Sequence, residues 1–246
     1  MSGEKEVRTV RVALAGCGTV GGGLLDLFVQ HRDELARRRL RFDVVRILAR
    51  DADRPRSEVI DRTRVTSCTA EFLATPADVA VEAIGGVKHA EVLARGALAR
   101  GRPFVTANKA LLRAQGPALA TLAAAHGARG AALRFEAAVG GGVPVVRLLR
   151  DALAGHGVHR VRGVLNGTTN YILSRIERGE SYAEALGAAQ AAGFAEADPS
   201  RDLQGTDAAD KIAVLAWLAF GVDPAALTIE TTGLPDDPET AVRDAH

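Results

Sequence analysis

The sequence predicts two domains: an open α/β domain with a doubly wound parallel sheet over residues 1–135, then a smaller, incomplete α+β domain over residues 136–246. Three observations carry this. Strand-like and helix-like segments alternate through the first domain, the pattern of βαβ units. The string Gly16-Cys17-Gly18-Thr19-Val20-Gly21 fits G-x-G-x-x-G at the junction of the first strand and first helix. Past Gly140 the alternation gives way to a glycine run with Pro144 and to mostly helical segments.

Taken in order, Thr9 to Ala15 (TVRVALA) reads as a buried strand, and Val20 to Arg38 as a helix with apolar residues at three-to-four spacing. Phe42 to Ala49 and Asp78 to Ile84 read as strands. A helix follows over Lys88 to Arg100, and a short strand over Pro103 to Ala107. Asn108 to His126 reads as helical, with Gly116-Pro117 expected to kink or break it. Arg129 to Val139 supplies the last strand of this half. In the second half, Val145 to Leu153 reads as helix and His159 to Leu165 as strand. Helices are expected over Thr169 to Arg178, Tyr182 to Ala192 and Thr206 to Phe220, the last preceded by the loop GFAEADPSRDLQG.

The glycine string reads as a phosphate-binding loop of the Rossmann type, the alternative being a glycine-rich turn with no ligand. Gly16 allows the tight turn, Gly18 lets the backbone approach a pyrophosphate, and Gly21 lets helix and strand pack closely. The N–H groups of Thr19 and Val20 at the helix start can hold the anion. The end of the second strand distinguishes the two nicotinamide dinucleotides: a carboxylate there suits a ribose hydroxyl, an arginine a 2′-phosphate. Arg50 stands nearest that position, which favours NADP(H) over NAD(H). Asp51 takes the ribose instead if the strand ends one residue later.

Composition narrows the function class. Lys+Arg number 31 against 30 Asp+Glu, a net charge of +1, which argues against a dedicated nucleic-acid or membrane-surface binder. Two cysteines, Cys17 and Cys68, are too few for a disulfide framework. No apolar run is long enough to span a bilayer and the first residues carry no signal-like pattern, so the expectation is a cytoplasmic protein without a membrane partner. Only Lys5, Lys88, Lys109 and Lys211 are lysines; every other basic residue is arginine. Lysine can exchange a proton where arginine cannot, so a lysine inside a motif raises a chemical question.

Lys109 follows Thr106-Ala107-Asn108 at the carboxyl end of a strand, where open α/β sheets bind their ligands. Lys211 lies one helical turn after Asp207, the favourable orientation for an ion pair. Glu196, Asp198, Asp202 and Asp207 cluster within twelve residues. Such a cluster is compatible with a solvated loop, a cation site, or a pocket for an amine-bearing substrate.

At this point the chain resembles the homoserine dehydrogenases. The motifs are GCGTVGGG, VEAIGG (Val81 to Gly86, including Gly85), TANKALL, FEAAVGGGVP, LNGTTNYIL and AEADPSRDLQGTDAADK, in that family's order over residues 10 to 230. The resemblance implies NAD(P)-dependent interconversion of L-homoserine and L-aspartate 4-semialdehyde, in the branch leading to threonine and methionine, by a homodimer. It implies that Glu196 and Asp202, with Asp207 beside them, hold the substrate ammonium. Lys211 would stand at the reacting oxygen and Lys109 between cofactor and substrate. Glu136 with the carbonyls of Val139, Gly141 and Val143 would bind a monovalent cation, sodium in most members. The substrate carboxylate is expected at the N–H groups after Asn166-Gly167-Thr168-Thr169.

The family continues past the final helix with further strands that complete the second sheet and contribute to dimerisation, and many members add an ACT domain. Here 25 residues follow Gly221. The alternative expectation is therefore a shortened or divergent non-catalytic dinucleotide-binding relative, acting as a subunit or interaction protein.

Overall fold

The structure is a computed structural model that describes residues 7–51 and 60–245. The chain divides into two compact units, residues 1–142 and 143–246. Glu136, Val139 and Gly141 thus belong to the first unit and Val143 to the second.

The first unit is a six-stranded, wholly parallel sheet in the order β3-β2-β1-β4-β5-β6. Its strands are β1 (Arg8–Ala15), β2 (Leu40–Leu48), β3 (Val65–Thr66), β4 (Val79–Glu82), β5 (Phe104–Thr106) and β6 (Leu133–Arg134). The helices are α1 (Thr19–Gln30), α2 (Arg32–Arg37), α3 (Thr69–Ala74), α4 (Lys88–Ala99) and α5 (Lys109–Ala125). The order reverses between β1 and β4, the switch point where such sheets bind ligands. Register sharpens this. Ala15 pairs with Leu48 and with Glu82, and Glu82 pairs with Thr106, so the four central strands end in one row. The loops after β1, β2, β4 and β5 therefore leave from the same edge of the sheet.

Burial follows from composition. Val12 to Ala15 are all buried, as a strand covered on both faces requires. Leu14, Leu25 and Ile47 pack together with Ile60 between α1 and the sheet. In α4 the small residues Ala90, Ala94 and Ala97 alternate with Leu93 and Leu98, all inaccessible to solvent.

Three expected elements differ. The helix over Val20 to Arg38 is two helices, parted at His31, and α2 buries no residue. With Asp33 and Glu34 in its first turn and Arg37 in its last, α2 matches its own dipole. Pro117 does not break α5, which runs unbroken for 17 residues. The proline deletes one hydrogen bond, while Leu111, Leu112, Gly116, Leu119 and Ala123 hold the helix by its buried face. The strand over Arg129 to Val139 shrinks to two residues, because a left-handed turn at Gly130 precedes it and a 3-10 turn over Glu136–Ala138 follows. The short β3 and α3 lie where no element was expected.

The second unit contains α6 (Val145–Arg147), which widens into a π-turn over Leu148–Ala152, then α7 (Gly167–Ile176), α8 (Tyr182–Ala191), α9 (Ser200–Leu203), α10 (Thr206–Phe220) and α11 (Pro238–Asp244). Ile172, Ile176, Ala185, Ala189 and Ala195 form its core, backed by Tyr171, Leu203 and Val242. Ser181 and Glu184 form a complete capping box at the start of α8. The segment expected as a strand over His159 to Leu165 is not a strand and pairs with no strand among the described residues. Its pattern is strand-like, but Val164 is 77% exposed.

Candidate functional site

Each unit carries its own constellation of polar groups. In the first, the glycine loop has the shape the motif demands. Gly16 has φ +92°, and a Cβ there would stand 2.6 Å from the Ala83 carbonyl oxygen. A Cβ on Gly21 would stand 2.0 Å from the Gly16 oxygen, so no side chain fits at either position. Gly18 has open space where a Cβ would be, and no side chain caps α1. Gly18, Thr19 and Val20 are exposed at that helix start. An uncapped N-terminus of a 12-residue helix, with its glycine approach clear, suits a pyrophosphate. Arg50 is exposed just past the end of β2, with Asp51 next to it.

The neighbouring loops are tied together by a group that sequence reasoning did not single out. Glu82, 1% exposed, ends β4. Its Oε1 accepts the N–H groups of Ile84 and Gly85 at 2.9 and 3.0 Å, and its Oε2 accepts the Thr106 hydroxyl. Thr106 Oγ1 in turn accepts the Asn108 N–H at 3.0 Å. Asn108 Nδ2 donates to the Gly86 carbonyl at 2.6 Å, and its Oδ1 caps α5 through the Leu111 N–H. One buried carboxylate thus locks the 84–86 turn to the start of α5, where Lys109 is the first residue. Glu82 hides in VEAIGG as the polar end of an apolar strand; its only signal is that a lone carboxylate follows buried positions.

In the second unit, α7 and α10 face a cleft of about 480 Å³ lined by Asn166, Thr168, Tyr171, Phe194, Asp202, Asp207 and Lys211 among others. Lys211 Nζ lies 2.6 Å from Asp207 Oδ2 and donates to the Leu165 carbonyl at 2.6 Å. The two side chains are only 19% and 12% exposed, so this is not the solvated helix-surface pair that i,i+4 spacing alone would describe. Asn166 Nδ2 donates to Asp202 Oδ1 at 2.7 Å and to Asp207 Oδ2 at 3.2 Å. Two carboxylates against one ammonium leave the cleft one negative charge in excess, which favours a cationic ligand group.

The four clustered acids separate. Asp202 and Asp207 enter the cleft. Asp198 accepts the Ser200 N–H at 3.1 Å, and its Ser200 hydrogen bonds hold its carboxyl below the ordinary range. The Glu196 side chain is exposed and outside the cleft lining. Thr168 is buried with its hydroxyl donated to the Phe194 carbonyl at 2.6 Å, which leaves its N–H, with that of Gly167, at the start of α7.

The residues expected to hold a cation would offer it oxygen ligands only, as a hard cation requires. Glu136 opens the 3-10 turn, Val139 is fully buried, and Gly141 has φ +58°. The Val143 carbonyl accepts the Val145 N–H at 2.8 Å. Among the described residues no three His, Cys, Asp or Glu side chains are grouped to hold a metal.

Comparison with known proteins agrees in both units. A family model described as the NAD binding domain of homoserine dehydrogenase matches residues 16–132, and one described as homoserine dehydrogenase matches residues 144–246. The homoserine dehydrogenase of Synechocystis is 42% identical over 218 residues, 87% of this chain and 49% of that protein. The one from Corynebacterium glutamicum is 42% identical over 213 residues, 86% of this chain and 47% of its own. The chain thus spans about half the length of these relatives. Among solved structures, a homoserine dehydrogenase from Thiobacillus denitrificans superposes with a TM-score of 0.83 at 35% identity, covering 98% of this chain and 56% of that one. A putative homoserine dehydrogenase from Archaeoglobus fulgidus gives 0.77 at 32% identity, covering 96% and 76%.

Proposed function

This chain belongs to the homoserine dehydrogenase family, and from that membership we propose that it interconverts L-homoserine and L-aspartate 4-semialdehyde by hydride transfer. The observation that carries the reading is the half-buried Lys211, held by Asp207 and the Leu165 carbonyl in a cleft with an excess carboxylate. A zwitterionic amino alcohol needs three things: carboxylates for its ammonium, N–H donors for its carboxylate, and a cation at its reacting oxygen. Asp202 and Asp207 serve the first, the start of α7 the second and Lys211 the third. Glu196 is assigned to the ammonium on the resemblance alone.

Gly16, Gly18, Thr19, Val20 and Gly21, with Gly85 and Lys109 on adjoining loops, would hold a nicotinamide dinucleotide, whose chemistry there would be to supply or accept the hydride. The remaining work falls to protein groups. An ammonium has three N–H donors. Asp207 and Leu165 take two on Lys211, and the third serves the substrate oxygen. As negative charge grows on that oxygen during aldehyde reduction, a preorganised donor stabilises the transition state by roughly 3–4 kcal/mol. Lys211 then delivers the proton, directly or through water, and takes it back in the oxidative direction. Lys109 is assigned to the space between cofactor and substrate.

We assign the cofactor as NADP(H), because the first charged residue after β2 ends at Leu48 is Arg50 rather than a carboxylate. Glu136 with the carbonyls of Val139, Gly141 and Val143 is assigned to a sodium ion with no chemical step. The chain is assigned as a cytoplasmic homodimer; no described helix is long and apolar enough to cross a membrane. A non-catalytic relative is not favoured, since Lys109, Asp202, Asp207 and Lys211 are all retained.

The experiment offers the protein NADP with either L-homoserine or 4-hydroxybutanoate, which lacks the ammonium. Homoserine-dependent NADPH formation with the amine-free alcohol inert is the expected result. Equal oxidation of both alcohols would refute the role of the acids.

A further inference from the structure

Asn166 takes no part in the chemistry above, yet its carboxamide organises the groups that do. Its Oδ1 accepts the Thr169 N–H at 2.8 Å and caps α7. That contact determines which way the amide faces, so Nδ2 is turned toward the acids and donates to Asp202 Oδ1 and Asp207 Oδ2. The Asp207 oxygen it touches is the one paired with Lys211, and the preceding residue, Leu165, gives its carbonyl to the same ammonium. Residues 165 and 166 thus anchor the lysine and both carboxylates. We propose that Asn166 is a positioning residue whose neutral amide holds Asp202 and Asp207 side by side as a joint face for an ammonium group. The inference rests on the cleft being the amino-alcohol site.

The physical need is specific. Two carboxylates sharing a small cleft repel each other, and an NH₂ group offers each of them one donor without adding a charge. A cap alone does not call for asparagine, since aspartate and serine cap a helix as well. Asn166→Asp therefore separates the two roles: it keeps the cap acceptor, removes both donors and adds a third carboxylate. Asn166→Ser, which caps with a hydroxyl too short to bridge both acids, provides a second variant if the first fails to fold.

The test measures homoserine KM, dinucleotide Kd and thermal midpoint for wild type and both variants, with a crystal structure of Asn166→Asp. The expected result is a rise in homoserine KM of about tenfold or more in variants that the melt shows to be folded, with dinucleotide Kd unchanged. A wild-type homoserine KM in either folded variant overturns the proposal, because a purely structural cap predicts that outcome for Asn166→Asp. Should wild type itself not oxidise homoserine, the functional reading fails separately, and the variant structure decides: Asp202 and Asp207 displaced supports the positioning role, both unmoved overturns it.

Discussion

Lys211 is a lysine in a chain that otherwise uses arginine for almost every positive charge, and its surroundings explain the exception. A guanidinium stays charged at any working pH and could not return a proton. Arg50, as proposed for the 2′-phosphate, would be the opposite use, a permanent charge suited to a phosphate. Arg50→Ala is expected to lower kcat/KM for NADP by about tenfold and leave that for NAD nearly unchanged, as steady-state kinetics with both cofactors would reveal. Much of this was legible at the level of single residues. Lys109 and Lys211 stood out by rarity and position, and the glycines by spacing. The fate of the four acids was not legible, because neighbours in sequence part in space: Asp202 and Asp207 meet through Asn166, some forty residues earlier in the chain, while Asp198 satisfies its own turn.

Elements are joined by a few polar ties, and these set where stability resides. Glu82 couples the turn after β4 to the cap of α5 through Thr106 and Asn108. Glu82→Gln places an NH₂ against a hydroxyl that already accepts the Asn108 N–H, leaving one buried donor without an acceptor. It is expected to destabilise the fold by about 1–3 kcal/mol in a urea melt and to weaken dinucleotide binding. At the opposite edge, Arg11 donates from its side chain and backbone to Asp78 and joins β1 to the start of β4. The guanidinium hydrogen bond, then the backbone one, hold the Asp78 carboxyl below its ordinary value. A depressed folded value means the tie stabilises at pH above the unfolded carboxylate range, about 4, and fades as pH falls through the lowered value. Asp78→Asn should therefore lower the thermal midpoint at neutral pH, and the two proteins should converge in strong acid. The order of elements in the first unit was readable from hydrophobic periodicity, since strands buried on both faces are nearly uninterrupted apolar runs. Besides the short β3 and α3, which it missed, three features escaped it. The break at His31 and the two-residue β6 depend on where helices and turns must rejoin the sheet, and α5 survives Pro117 because a buried face outweighs one missing hydrogen bond.

For the molecule as a whole, a parallel sheet with its strand ends in register and a helical unit with an acidic, lysine-bearing cleft give a division of labour. On the proposed reading, the first unit would carry the dinucleotide and the second the amino alcohol. In the proposed homodimer, the segment ending at Leu165, with Val164 exposed, would lie against the second copy. Val164→Glu is expected to lower the sedimentation mass toward that of a single chain of 25.7 kDa. The chain spans about half the length of the Synechocystis and Corynebacterium glutamicum relatives, so activity is the property to measure first. The most direct measurement follows reduced nicotinamide absorbance after homoserine is added to the protein with NADP, for wild type and Lys211→Ala. Homoserine-dependent reduction by wild type is expected, with a loss of roughly 10²–10³-fold or more in the variant, which still folds and binds cofactor with unchanged affinity. A wild type that binds cofactor but does not oxidise homoserine, or a variant as fast as wild type, would contradict that expectation.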